Sequence, residues 1–391
     1  MTKNTIYLDN SATTPISDKA LSKYNDIAKS CYGNPSSLHE AGVLAEREIE
    51  AARKCLLSSV GAKDATAVFT ASGSEANNLA IFGRAFAKDR FRRMGKIITT
   101  VGEHASVNAP LDKLSSLGFE IVYVPTKNGE LDLDFLSFSL DERTILVSMM
   151  MVNNETGALY DMASVGRLIK ARARDALFHI DATQSYLKIP FTKNSACADM
   201  ITVSSHKIHG PKGVGALIIG RDVIKSSGIC PMILGGGQEL GLRSGTENVP
   251  AIAAFAAAVE EGVGSVRNFY AHTNELREYL IAGLSSAALS EISPTLPNSH
   301  APHIINITLP NIKSETMLHY LSNEGIFVSS GSACSSHGAL HGTSALVAYG
   351  RSEAEADCSI RISFSKNNTK SDVDALLLAL ERGVSKLARI K

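Results

Sequence analysis

Short apolar runs alternate with amphipathic helical stretches from Lys19 to Ile219, and this alternation restricts the possible folds more than any other feature of the chain. The runs Thr66–Ala71, Lys96–Val101, Phe119–Val124, Thr144–Met150, Ala176–Ile180, Asp199–Val203 and Gly215–Ile219 read as buried strands. Helical patterns lie between them at His39–Ser59, Glu75–Lys88, Ser106–Leu117 and Asp161–Arg174. Strand and helix in this order predict the α/β class, a mainly parallel sheet flanked on both faces by helices. Past roughly residue 257 the pattern changes to a long helix, a strand-like His303–Leu309, a helix at Ser314–Glu324, a strand Ile360–Phe364 and a final helix from Ser371. That segment reads as a smaller α+β domain. At 391 residues the natural division is a large domain over 16–257 and a small domain built from 1–15 and 258–391. Neither a fixed-period repeat nor a low-complexity tract is present.

Charge and cysteine usage narrow the classes of partner. Lys+Arg and Asp+Glu both number 39, so no net field favours nucleic acid or an anionic membrane, and the partner is a small molecule or another protein. Met1–Asn10 lacks the basic, apolar and small-residue order of a signal peptide, and the Ala-rich Ala251–Val259 runs into Glu260 and Glu261 as a buried globular helix does. A cytoplasmic protein is the expectation. The six cysteines contain no CxxC pair, so neither disulfides nor a zinc cage is expected.

Four segments that follow strands carry chemistry. In Ala71–Leu79, ASGSEANNL, a strand runs through Ser-Gly-Ser into a helix, whose amides and dipole suit a phosphate; Ser74 could equally be a plain N-cap. In Phe178–Gln184, FHIDATQ, Asp181 sits at a strand end, where an Asp is commonly a turn residue but can also hold a protonated ring nitrogen. In Val203–Gly215, VSSHKIHGPKGVG, Lys207 lies between an apolar strand and a glycine-rich stretch, a setting for a desolvated, Schiff-base-forming lysine with Ser204 near a phosphate. His206 and His209 lack an acidic or Cys companion that would make a metal site. In Val328–Ser336, VSSGSACSS, small residues on both sides of Cys334 make a loop, and an exposed loop thiol is the better nucleophile. Cys197 also sits in a Ser-Ala-Cys triplet, but just ahead of a strand, and reads as structural.

With YLDNSATTP at Tyr7–Pro15, GNPSSLH at Gly33–His39, SGSEANNLAI at Ser72–Ile81, VNNETG at Val152–Gly157, HIDATQ at His179–Gln184, SSHKIHGPKGVGAL at Ser204–Leu217, RSGTEN at Arg243–Asn248 and SSGSACSS at Ser329–Ser336, the chain resembles the pyridoxal-phosphate (PLP) dependent cysteine desulfurases of the NifS and IscS kind, in the class V aminotransferase group. The resemblance spans nearly the whole chain and implies PLP-dependent transferase fold type I. It implies that Lys207 holds PLP, that Asp181 pairs with the ring nitrogen, and that His104 stacks on the ring as an acid or base. Gly73, Ser74, Ser204 and His206 would surround the phosphate, and Asn154 and Gln184 would face the phenolic oxygen, Asn154 also meeting the substrate. Thr246 would reach the phosphate of a neighbouring subunit in a homodimer. Arg361, otherwise a residue on the wet face of a strand, would grip the carboxylate of L-cysteine. Cys334 would take the substrate sulfur as a persulfide, releasing L-alanine, for a protein acceptor in iron–sulfur cluster assembly or tRNA thiolation. A selenocysteine lyase or another PLP-dependent aminotransferase-type enzyme is the alternative. Ser74 stands where threonine is usual in the family, Gly338–Tyr349 departs from its pattern, and no extended C-terminal tail for scaffold docking is evident.

Overall fold

The computed structural model describes residues 5–87, 94–330 and 345–387. The strands of its main sheet are β1 (Ala65–Thr70), β2 (Lys96–Thr100), β3 (Glu120–Val124), β4 (Thr144–Met150), β5 (Leu177–Asp181), β6 (Met200–Ser204) and β7 (Gly215–Gly220). Each lies within one residue of a run singled out by its apolar composition. They are arranged β1-β7-β6-β5-β4-β2-β3, with β7 antiparallel to both neighbours and the other pairs parallel. Helices α1 (Asp18–Ser30), α2 (Glu40–Ser59), α3 (Gly73–Ala85), α4 (Ala105–Ser116), α5 (Met162–Arg172) and α6 (Val249–Val263) cover the sheet.

Alternation within the strands feeds two faces at once. Ala67 and Phe69 of β1 and Ala216 and Ile218 of β7 pack with α2, α5 and α6. Val68, Leu217 and Ile219 pack on the opposite side with Ala76, Leu79 and Ala80 of α3 and Leu111 and Leu114 of α4. A strand buried on both faces has no polar side to show, which is why each reads as a continuous apolar run. The Ala-rich segment is the buried core of α6, packed against α1 and α2.

A second sheet, β8 (Ser293–Thr295), β9 (Ile304–Thr308), β10 (Ser329–Ser330) and β11 (Ser359–Ser363), has the order β8-β9-β11-β10 and is antiparallel. Its core joins Ile305, Ile307, Ile360 and Ile362 to Leu276 and Leu280 of α7 (Val266–Leu284), Met317 and Leu321 of α8 (Ser314–Asn323) and Leu376 and Leu380 of α9 (Lys370–Leu387). The N-terminus belongs with this sheet. Ile6 and Tyr7 pair in parallel with Ile326 and Phe327, Leu8 enters the same core, and Asp9 bridges to Ser363. Residues 11–17 then cross to the large sheet, where Thr14 N donates to His206 O and Ser17 N to His209 O, both at 2.9 Å.

Register positions the site. Met150, Asp181 and Thr202 lie side by side, so β4, β5 and β6 end level with one another. Gly215 pairs with both Thr70 and Ser204, so the loops that leave β1 and β6 emerge at one place. A Cβ on Gly215 would come within 2.7 Å of the Ser72 carbonyl carbon, and only glycine allows this approach.

Candidate active site

Beyond the carboxyl ends of these strands, where open α/β sheets gather ligands, lies a cavity of about 360 Å³. Gly73, Ser74, His104, Asn154, Asp181, Gln184, Ser204, His206, Lys207 and Arg361 all line it. Thr246 does not; it is exposed, in a loop that Arg243 ties to Glu75 of α3 through an ion pair of 2.8 Å. Cys334 lies outside the described residues, and the 328–342 stretch is described only as far as Ser330.

The turn from β1 into α3 is built for an anion. Ser72 is the N-cap, its Oγ accepting from Glu75 N at 3.2 Å, so the capping alternative for Ser74 is corrected and the Ser74 hydroxyl is not spent on the cap. A Cβ on Gly73 would stand 3.3 Å from the Ser204 Cβ and from Thr183 Oγ1, so glycine keeps the floor of this corner open. Ser204 Oγ is buried without a hydrogen-bond partner among the described residues. A buried hydroxyl left unpaired beside a helix N-terminus suits a bound phosphate oxygen. His206 faces the same corner with Nδ1 3.1 Å from Thr13 Oγ1. Burial first, then Lys207 nearby, lower its pKa to about 4, so it meets an anion as a neutral ring.

Beyond the ends of β2 and β5 the imidazole and carboxylate are linked through the Asn77 amide and the Ser106 hydroxyl. Asp181 is 6% exposed, its Oδ1 accepting from Thr183 N at 2.9 Å and its Oδ2 from Asn77 Nδ2 at 2.8 Å. The same Asn77 nitrogen donates to Ser106 Oγ at 2.9 Å, and that oxygen is 2.8 Å from His104 Nδ1. Ser106 N also donates to His104 Nδ1 at 3.1 Å, which puts the proton of the neutral ring on Nε2. His104 is the N-cap of α4, more constrained than a turn residue. Its ring is accessible from the cavity, yet the surrounding protein desolvates it and lowers its pKa. A carboxylate held by two donors, with room beyond it, fits a protonated ring nitrogen.

Lys207, in a single turn of 3-10 helix after β6, donates to Ala12 O at 2.8 Å and also to Ser11 O. Gln184 Nε2 donates to Ser11 O as well, at 2.9 Å. Arg361 corrects its surface reading. β11 is an interior strand of its sheet, Arg361 is 7% exposed, and its guanidinium donates to Asn154 O and to Asp9 Oδ1, both at 2.9 Å. Its Nε is buried and unpaired, a donor left for a carboxylate.

Asp9, Ser11, Asn77 and Glu103 were not singled out beforehand. Asp9 and Ser11 fall in the YLDNSATTP segment and Asn77 in SGSEANNLAI, whose places in the family pattern were their signal. Glu103 is buried beside His104, its carboxyl accepting from Thr100 Oγ1 at 2.5 Å and Met150 N at 3.0 Å, and burial raises its pKa to about 8. The folded state therefore holds a proton that the unfolded chain releases near 4.5, so this group's contribution to stability is fully present below about pH 4.5 and fades as pH rises through about 8. Glu103→Gln keeps the acceptor and removes the charge. Its melting temperature relative to the unsubstituted protein is expected to climb by a few degrees between pH 5 and pH 9, at roughly 2–4 °C per kcal/mol; a gap that scanning calorimetry finds constant with pH would refute the protonated carboxyl. Cys197, at φ +55°, packs on α5 so closely that a Cβ on Gly166 would stand 2.3 Å from its own Cβ.

The sequence matches the family described as Aminotransferase class-V over residues 6–376. A NifS/IcsS protein homolog of Lactobacillus delbrueckii subsp. bulgaricus is 38% identical over 379 residues, 96% of each chain. Cysteine desulfurase IscS of Dictyoglomus turgidum is 37% identical over 391 residues, 99% of this chain and 96% of that one. Among solved structures, a NifS-like protein superposes with a TM-score of 0.89 at 35% identity, covering 97% of this chain and 99% of the other.

Proposed function

The chain belongs to the class-V aminotransferase family, among its cysteine desulfurases, and from that premise we propose that it binds PLP in the 360 Å³ cavity and moves the sulfur of L-cysteine onto Cys334. The observation that carries the cofactor assignment is the pairing of an unpartnered buried Ser204 hydroxyl with the Asp181 carboxylate across one cavity that Lys207 also lines. Gly73, Ser74, Ser204 and His206 would hold the phosphate, Asp181 the ring nitrogen, His104 the ring face, Asn154 and Gln184 the phenolic edge, and Lys207 the carbonyl carbon. PLP, when bound, supplies an electron sink for the charge left when an alpha proton departs.

The chain's own groups supply the remainder. Arg361, already oriented by Asp9 and Asn154 O, receives the substrate carboxylate. The Lys207 amine removes and returns the proton at the substrate alpha carbon. His104, neutral and carrying its proton on Nε2, exchanges protons with the substrate thiol. Cys334, as thiolate, takes the substrate sulfur; the carbon–sulfur bond breaks, a sulfur–sulfur bond forms on the enzyme, and protonation of the remaining carbon skeleton gives alanine. The persulfide then passes to a protein acceptor, one serving iron–sulfur cluster assembly or tRNA thiolation.

Support for a homodimer comes from Thr246, exposed and not among the residues that line the cavity of its own chain, and from Leu234 and Leu240 in the same region, 80% and 64% exposed. Incubation of the purified protein with PLP, L-cysteine and a thiol reductant is expected to yield alanine and sulfide in equal amounts, from particles of twice the chain mass by sedimentation. Alanine without sulfide would point to a different reaction, and absence of both, in protein that binds PLP, would refute the assignment.

A further inference from the structure

Lys188 is 6% exposed, and among the described residues its amine has no carboxylate partner. The charged groups that act on it, Lys207 and Arg361, are both cations, and burial together with these neighbours lowers its pKa to about 7. A lysine so placed costs the fold free energy that a methionine would not. Its recorded hydrogen bond is to Gln184 Oε1, at 3.4 Å. That contact comes from a tight turn after β5, in which Tyr186 N donates to Ala182 O, Lys188 N to Ser185 O and Ile189 N to Ser185 O, so Gln184 and Lys188 sit four residues apart on one side. Behind them, a second cavity of about 370 Å³ is lined by Lys188, Leu187, Ile208, Phe269 and Phe364. The amine meets Gln184 although it has space elsewhere.

The chemistry of the two neighbours fixes the Gln184 amide. Ser11 O only accepts, and Lys188 donates an N–H to Gln184 Oε1 whether its amine is charged or neutral. Oε1 must therefore turn to Lys188 and Nε2 to Ser11 O, the backbone oxygen that Lys207 also uses. In this orientation the second N–H of the amide is directed by the side-chain plane and cannot exchange places with the oxygen. Without Lys188, Oε1 loses that donor and the amide is held at Ser11 O alone, free to swing about that one bond so that its second N–H leaves the phenolic edge of the cofactor.

We infer that Lys188 is a positioning residue that holds the Gln184 amide with its N–H groups toward the cofactor; the inference rests on the reading of Gln184 as a cofactor contact. Lys188→Met is expected to weaken PLP binding to the apoprotein about 10- to 100-fold and to displace the visible absorbance band of bound PLP, while the melting temperature of the apoprotein holds or rises. Lys188→Arg, which keeps an N–H donor and has the rear cavity for its bulk, is expected to recover most of the affinity and the original band. Gln184→Leu should lose affinity similarly, and the double variant should lose no more than either single one. If Gln184→Leu binds PLP normally, the reading of Gln184 falls and the inference with it. If Gln184→Leu is impaired while Lys188→Met is normal, or the two losses multiply, the inference alone is overturned. A fall in apoprotein melting temperature that Lys188→Arg does not repair would likewise overturn it, assigning Lys188 to the fold.

Discussion

Lys207→Ala is expected to abolish turnover of L-cysteine, by at least about 10³-fold, and to leave protein that no longer retains PLP through borohydride reduction. The lysine enters the site from the turn that follows β6, where Gly215 brings the loops after β1 and β6 together, and its amine donates to the carbonyls of Ser11 and Ala12. The buried Ser11 carbonyl keeps Gln184 Nε2 as a donor and Ala12 is exposed, so the substitution removes a reactive amine without leaving buried acceptors stranded, and the fold should survive. The measurement is the mass of the peptide containing residue 207 after reduction, with and without the substitution, beside a sulfide assay. Turnover within about tenfold of the unsubstituted protein would mean that another group moves the alpha proton.

Cys334→Ala is expected to reduce sulfide release to below about 1% while PLP binding and the spectral response to added L-cysteine remain, because the nucleophile acts after the substrate has engaged the cofactor. Cys197→Ala is the companion measurement. Its thiol packs against α5 at a residue with φ +55°, so its loss should lower stability by about 1–2 kcal/mol and leave the rate per folded molecule unchanged. Equal loss of activity in both variants would show that sulfur transfer does not run through Cys334 alone. A persulfide found by mass spectrometry on Cys334 after a single turnover is the direct positive result.

Much of the architecture was legible because strands buried on both faces carry their signal locally. Val68 and Phe69 are adjacent yet serve opposite cores, so the run needs no alternation to be recognised. Lys207, Asp181 and Ser204 were legible for a related reason, each following such a strand. Arg361 was not. Its strand is short and its neighbours Ser359 and Ser363 look like a solvated face, but β9 and β10 flank it and Asp9 reaches it across more than 350 residues of sequence. Asn77 and Lys188 escaped notice likewise, since their roles depend on partners whose closeness no local pattern announces. The N-cap fell to Ser72 and not Ser74, a two-residue matter that composition cannot resolve.

The two ends of the polypeptide close the site. Ser11 N donates to the Ser363 hydroxyl at 2.8 Å and Asn10 Nδ2 to Ser363 O at 2.9 Å, while Ser11 O receives both Lys207 and Gln184. During synthesis the main sheet can be complete once Gly220 has left the ribosome, with Thr14 and Ser17 already tied to it, yet the Asn10 and Ser11 contacts to Ser363 form only when β11 emerges roughly 140 residues later. A nascent chain therefore passes through an interval in which the large domain is folded and the Ser11 end of the segment lacks its second support. Arg361, which would receive the substrate carboxylate, arrives only with that last strand, so a message cut short before it yields a cavity without its carboxylate grip.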